Sequence, residues 1–188
     1  RRGMQITWAA ISRVDLVDEA LLTWMRRAGC IQISYGIESG SETIRDLLNK
    51  NVKSEDVQRA FVLTKRYGIV ARAYFIYGSP EETWETIQET IDLMCEIKPL
   101  ICILYILEIY PGTKLYSDFQ KKFNVTDDIW LKKMEGICYF DTDENLSQEL
   151  VFEFGKKIRG AFYENVGHFV DDISLVDEKK LYPFHADF

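Results

Sequence analysis

Three short turns constrain this chain more than anything else in it. Gly36-Ile37-Glu38-Ser39-Gly40-Ser41-Glu42, Phe75-Ile76-Tyr77-Gly78-Ser79-Pro80-Glu81-Glu82-Thr83 and Tyr110-Pro111-Gly112-Thr113 each follow a short apolar run. Each therefore stands where a strand would hand over to a helix, and the intervals between them have βα-unit length. Repeated handovers of that kind build a parallel sheet, with small and acidic residues gathered on one rim. That rim is where α/β proteins hold and transform ligands.

Periodicity predicts strands over 4–10, 31–36, 69–77 and 101–109, and helices over 15–28, 41–50, 54–67 and 81–97. The first helix is expected to bury Leu16, Ala20, Leu21, Trp24 and Met25. The third buries Val57, Ala60, Phe61 and Val62, and the fourth Trp84, Ile87, Ile91 and Met94. Gly29 and Gly68 sit where a left-handed residue closes a helix, and Pro99 ends the fourth. The unbroken apolar run of 101–109 predicts burial on both faces. Short helices follow over 113–123 and 127–134, then a loop over 135–145 with a short strand at 137–140. A long helix over 147–165 turns Leu150, Val151, Phe154, Ile158, Ala161 and Phe162 inward. The order β-α-β-α-α-β-α-β is that of an α/β fold with right-handed crossovers. Four strands are too few to close a barrel, and 4–10 would be an exposed edge. The chain is thus expected to be cut from a longer protein, with a missing N-terminal part beside that strand.

At 188 residues and 47% hydrophobic content, one core is expected. The 23 basic and 30 acidic side chains leave a net charge of -7 and form no basic stripe, which counts against a nucleic-acid partner. The longest apolar run, 100–107, is too short to cross a bilayer and no signal peptide opens the chain, so a cytoplasmic protein without a transmembrane segment is expected. Cys30, Cys95, Cys102 and Cys138 are spaced like no zinc or cluster motif and read as small hydrophobes. Glu164 and His168 lie one helical turn apart, far short of a metal site, and His168 and His185 read as surface or tail residues.

At the first junction, Glu38 at a strand end can accept hydrogen bonds from a ribose or an amine. Gly36 and Gly40 would leave room for a flat ligand. Ser39 and Ser41 read as helix caps, with Glu42 completing a capping box from Ser39. At the second, Ser79 reads as a cap and Pro80 as the first helical residue, with Glu81 and Glu82 facing the dipole. Gly78 fits close backbone approach to a ligand. Arg72 and Glu108 are charges inside apolar strands, costly without partners. Each could point to a barrel interior, or the two could pair across a gap, and both readings stand. Lys50 closes the helix over 41–50, as a charge complementing its dipole.

Gly36-Ile37-Glu38-Ser39-Gly40-Ser41, with Leu47-Leu48-Asn49-Lys50 after it, resembles the fourth-strand region of radical S-adenosylmethionine (SAM) enzymes. Phe75 to Thr83 resembles their fifth-strand G-x-P-G-E-T loop, and Tyr110-Pro111-Gly112-Thr113-Lys114-Leu115-Tyr116 their sixth-strand signature. Ser12-Arg13-Val14-Asp15 fits the end of the third strand. The resemblance covers 4–123 and, more loosely, 147–165. It is nearest the branch with an upstream cobalamin-binding domain, which includes anaerobic Mg-protoporphyrin IX monomethyl ester cyclases and methyltransferases.

The resemblance implies a partial TIM-like (β/α)6 barrel, of which this chain holds strands three to six over 1–123. A mostly helical extension over 124–188 would pack on it. It also implies an enzyme whose [4Fe-4S] cluster, held by C-x3-C-x2-C after the first strand, reduces SAM to a 5′-deoxyadenosyl radical to modify a small-molecule substrate. That triad and the second-strand Gly-Gly-Glu-type motif are not in this sequence. Cluster ligands, and a cobalamin domain where one is used, are therefore expected upstream, and this stretch alone is expected to be inactive. By implication Glu38 and Ser39 face the SAM ribose, Lys50 pairs with the SAM carboxylate, Tyr74 faces the ribose and Gly78 passes beneath the adenine. Arg13, Arg72 and Glu108 would contact SAM or substrate, and Glu81 stands where the family usually has glycine. Two other readings are a non-catalytic α/β ligand-binding module and a tRNA methylthiotransferase-like enzyme. The acidic balance and the lack of a basic RNA-binding C-terminal domain count against the second.

Overall fold

A computed structural model describes residues 6–127, 129 and 136–174. Strands β1 (Trp8–Ser12), β2 (Cys30–Glu38), β3 (Val70–Tyr77) and β4 (Ile101–Ile106) form one parallel sheet in sequence order. Between them run α1 (Glu19–Arg27), α2 (Glu42–Leu47), α3 (Ser54–Arg66) and α4 (Trp84–Ile97). The short strands β5 (Glu108–Ile109) and β6 (Ile137–Cys138) pair antiparallel, with α5 (Lys114–Phe123) between them. The long helix α6 (Gln148–Ser174) follows. Among the described residues, no helix is long and apolar enough to cross a membrane.

Side chains alternate across a strand, so each strand splits its residues between two faces. One face is the core: Ile33, Tyr35 and Ile37 of β2, with Ala73, Phe75 and Tyr77 of β3, lie buried against Val57, Ala60 and Phe61 of α3 and Ile87, Ile91 and Met94 of α4. Val151, Phe154, Ile158 and Phe162 of α6 join the same core, so the helix expected over 147–165 is present and longer. The other face carries Ile11, Gln32, Arg72, Tyr74, Ile103 and Tyr105, none of them in that core. Ile11 is 81% exposed and Tyr105 56%. Among the described residues, the helices therefore dress the sheet on one side and leave its other side uncovered.

Several expectations are corrected. The helix expected over 15–28 is a 3-10 turn (Val14–Leu16) followed by α1, because Asp18 caps the helix with its side chain on the Leu21 N–H at 2.7 Å. The face that α1 turns to the core carries Leu22 and Arg26, with Met25 partly buried against it, whereas Leu16, Ala20, Leu21 and Trp24 are exposed. Val62 is likewise exposed on α3, and Trp84 is partly exposed while its ring meets Phe154 edge-on at 4.7 Å. The run 101–109 is not one strand buried on both faces. It breaks at Leu107, whose N–H reaches the Tyr77 carbonyl, and β4 is a half-buried sheet edge. Among the described residues the first strand runs from Trp8 to Ser12, and residues 4 and 5 of the expected strand lie outside the described residues. Most of the helix expected over 127–134 also lies outside the described residues.

Gly155 brings α6 close against β3. A Cβ added at Gly155 would lie 2.5 Å from the Tyr77 ring, whose hydroxyl accepts a hydrogen bond from Arg159 at 3.0 Å. Gly155→Ala is expected to cost roughly 1–3 kcal/mol through overpacking, read as a lower urea midpoint. An unchanged midpoint would mean that α6 is free to shift.

Candidate ligand site at the sheet rim

All four parallel strands end on the same rim, at Ser12, Glu38, Tyr77 and Ile106. β2 bulges between Gly36 and Glu38, and Glu38 takes a left-handed backbone (φ 71). This turns its carboxylate back over Gly36, where Lys50 Nζ meets Glu38 Oε1 at 2.5 Å. The pair is partly exposed, at 19% and 17%. Each charge keeps hydrogen-bonding capacity beyond the shared contact, since an ammonium has three donors and a carboxylate about four acceptor sites. Tyr74 is the register neighbour of Gly36, lies on the open face and stacks on Tyr105 with centroids 6.1 Å apart. Arg13, just beyond β1, pairs with Asp15 at 2.9 Å and reaches the Lys50 carbonyl at 3.4 Å. The Arg13 hydrogen bond holds the Asp15 carboxyl below its ordinary range. Glu38, Lys50, Tyr74 and Arg13 thus surround one patch of rim.

Lys50 does not close a helix. α2 stops at Leu47, Asn49 and Asn51 are left-handed, and the chain is carried back toward Glu38. Gly36 and Gly40 leave no empty slot. Gly36 makes room for the ion pair, and a Cβ at Gly40 would lie 2.3 Å from the backbone of Glu89 and Thr90. Ser39 is corrected most sharply. It is fully buried, with Oγ accepting from the Ser41 N–H at 3.1 Å and lying 3.2 Å from Thr90 Oγ1, so it faces α4 and not the open side. No Ser39–Glu42 capping box forms, because Glu42 instead accepts from the Ser54 N–H at 3.0 Å.

The second junction also differs from expectation. α4 starts at Trp84, with Thr83 and Thr86 forming the capping box. Ser79 and Pro80 are therefore loop residues, and Glu81 is left-handed (φ 59), a conformation that glycine adopts at no steric cost. Glu82 does not sit idle in the helix dipole. It is 5% exposed, and its Oε2 accepts the backbone N–H of Ser79 at 3.1 Å and that of Gly78. Burial outweighs those two bonds and pushes the Glu82 carboxyl up to about 7. Gly78 approaches Val151 of α6 at 2.9 Å from its notional Cβ, so its close contact is with protein rather than ligand. Arg72 and Glu108 do not pair. Arg72 reaches Gln32 at 3.5 Å with its Nε buried and unpartnered, while Glu108 takes a hydrogen bond from Tyr110 at 2.7 Å.

Sequence reasoning missed Arg45, Glu82 and Thr90, the three polar side chains that hold the two loops. Their residue types are those of ordinary helix surfaces, so composition and spacing carry no signal for them.

The described residues do not fit an iron–sulfur cluster. Cys30 is buried at the start of β2, away from the rim, and Cys102 lies 4.0 Å from the Met94 sulfur with burial pushing its thiol up to about 12. Among the described residues, no group of three or more His, Cys, Asp or Glu side chains could hold a metal ion. The rim does fit the polar half of SAM: it joins a carboxylate, an ammonium and a tyrosine on an open face.

A parallel sheet with helices on one face and charges on its C-terminal rim defines a partial TIM-like barrel. The sequence profile of the radical SAM superfamily matches residues 2–94. The chain belongs to that superfamily. It is 33% identical over 129 residues to the anaerobic magnesium-protoporphyrin IX monomethyl ester cyclase of Rubrivivax gelatinosus, covering 68% of this chain and 23% of the cyclase. It is 32% identical over 117 residues to an uncharacterized methyltransferase of Pyrococcus horikoshii, covering 62% and 26%. The chain thus spans about a quarter of the length of these curated relatives. Its fold matches coproporphyrinogen III oxidase from Escherichia coli with a TM-score of 0.62 and 14% identity, over 84% of this chain and 32% of the oxidase. It also matches a radical SAM methyltransferase from Kitasatospora setae, solved with cobalamin and a [4Fe-4S] cluster bound, with a TM-score of 0.56 and 18% identity over 61% and 23%.

Proposed function

We propose that this chain supplies the ribose- and carboxylate-facing part of the SAM site in a radical SAM enzyme that modifies a small molecule, by oxidative cyclisation or methyl transfer. One observation carries the reading: the Glu38–Lys50 pair folded over Gly36 on the open face of the sheet rim. Opposite charges side by side suit a ligand that presents hydroxyls and an amino-acid terminus together. Glu38 would accept from the ribose hydroxyls and Lys50 would hold the carboxylate. Tyr74 would line the sugar, and Arg13 would steady Lys50 through its carbonyl. Arg72, two residues before Tyr74 on the same face, would donate to SAM or substrate. Bound SAM would supply an activated sulfonium carbon. The cluster ligands, and cobalamin where one is used, would come from outside the described residues. The names of the cyclase and methyltransferase relatives support the reaction class.

The test is SAM affinity in the intact protein. Glu38→Gln keeps size and hydrogen bonding but removes the charge, and is expected to weaken SAM binding about tenfold, or about 1.4 kcal/mol, by titration calorimetry. Unchanged affinity would remove Glu38 from the site.

A further inference from the structure

Arg45 is among the largest fully buried side chains of the described residues, and it lies on the six-residue helix α2. Its Nε donates to the Val52 carbonyl at 2.9 Å. Its Nη1 donates to the carbonyls of Ser39 at 2.7 Å and Gly40 at 3.0 Å. Its Nη2 donates to Ser54 Oγ at 2.7 Å and reaches Glu42 Oε1 at 3.4 Å. A guanidinium offers five donors in a rigid planar fork, so one side chain can fix several acceptors relative to each other. Here the fork spans two separate segments. Residues 39–40 directly follow Glu38, and residues 52–54 follow Lys50 after one intervening asparagine.

Burying a guanidinium is costly, and an apolar side chain would fill the same space without that cost. Glu42 offsets little of it, being 45% exposed and at the long end of ion-pair distance. Burial accordingly pulls the Arg45 guanidinium down from its ordinary value. What the fork does secure is the relative placement of two strained segments, with Glu38, Asn49 and Asn51 all left-handed. Thr90 holds the first segment from the opposite side, through the Gly40 N–H at 2.9 Å.

We infer that Arg45 is a positioning residue of the rim site, setting the separation of Glu38 and Lys50 by clamping both segments that carry them. The inference rests on the reading of that pair as part of a SAM site. Arg45→Lys keeps the charge but loses the fork, and Ser54→Ala removes a single arm at a partly exposed helix start, leaving a variant that folds. The experiment is a Glu38→Gln, Lys50→Gln double-mutant cycle in urea stability, run in the wild-type, Arg45→Lys and Ser54→Ala backgrounds of the intact protein, alongside SAM titration. The expected result is a coupling reduced by more than half in Arg45→Lys and measurably in Ser54→Ala, with SAM Kd raised at least tenfold and about threefold. Coupling equal in all three backgrounds would overturn the inference and leave Arg45 a fold element. Reduced coupling with a SAM affinity that Glu38→Gln does not change would uphold the clamp and remove the SAM reading.

Discussion

Gly36→Ala is expected to abolish most SAM binding while leaving the fold in place. A Cβ at that position would stand 2.6 Å from Glu38 Oε1 and 3.1 Å from Lys50 Nζ. Gly36 is not among the residues with positive φ, so its backbone accepts alanine without strain. The atoms that must move are the flexible ends of Glu38 and Lys50, which costs the fold little and displaces the pair. We expect at least a tenfold loss of SAM affinity, about 1.4 kcal/mol, with a melting temperature within a few degrees of wild type. A variant that binds SAM normally would show that the pair's position over Gly36 does not matter to the ligand.

The second large effect is a pH dependence of stability centred on Glu82. Its carboxyl is raised from 4.5 to about 7 by burial, so the folded state prefers the protonated form. An unfolded chain ionises this group first as pH rises through 4.5, while the fold holds the proton until about 7. The stabilising contribution is therefore fully present below about 4.5, falls as pH rises toward 7, and is lost above it, a span of roughly 3 kcal/mol. Glu82→Gln keeps an oxygen for the Gly78 and Ser79 N–H groups but cannot titrate. Urea midpoints from pH 5 to 8 should fall more steeply for wild type than for this variant. Parallel curves would show that Glu82 ionises in the fold as it does in water.

Much of the fold was legible because it rests on apolar periodicity. The parallel strand order, α3, α4 and α6 follow from spacings that only one face of a strand or helix satisfies. Errors cluster at polar starts. Asp18 and Thr83 cap helices that start later than the apolar spacing predicts, because a cap depends on whether one side chain reaches one N–H, as Asp18 does with Leu21 and Thr83 with Thr86. The edge character of β4 was hidden for a different reason: an apolar run does not say whether a second layer covers it. The family motifs pointed to the rim, and the structure brings Glu38 and Lys50 together there. It turns Ser39 inward, since a serine can serve a helix on one side or a ligand on the other with the same residue type.

The bare side of the sheet has a consequence for how this protein should be handled. Ile11, Tyr74 and Tyr105 lie outside the core that the helices complete. A ligand seated there would act as a missing wall as well as a cargo. Whatever binds only the folded form adds RT ln(1 + [L]/Kd) to its stability, so a ligand on this face would make the sturdiness of the domain depend on its concentration. Fold strength and ligand occupancy would then be one measurable quantity.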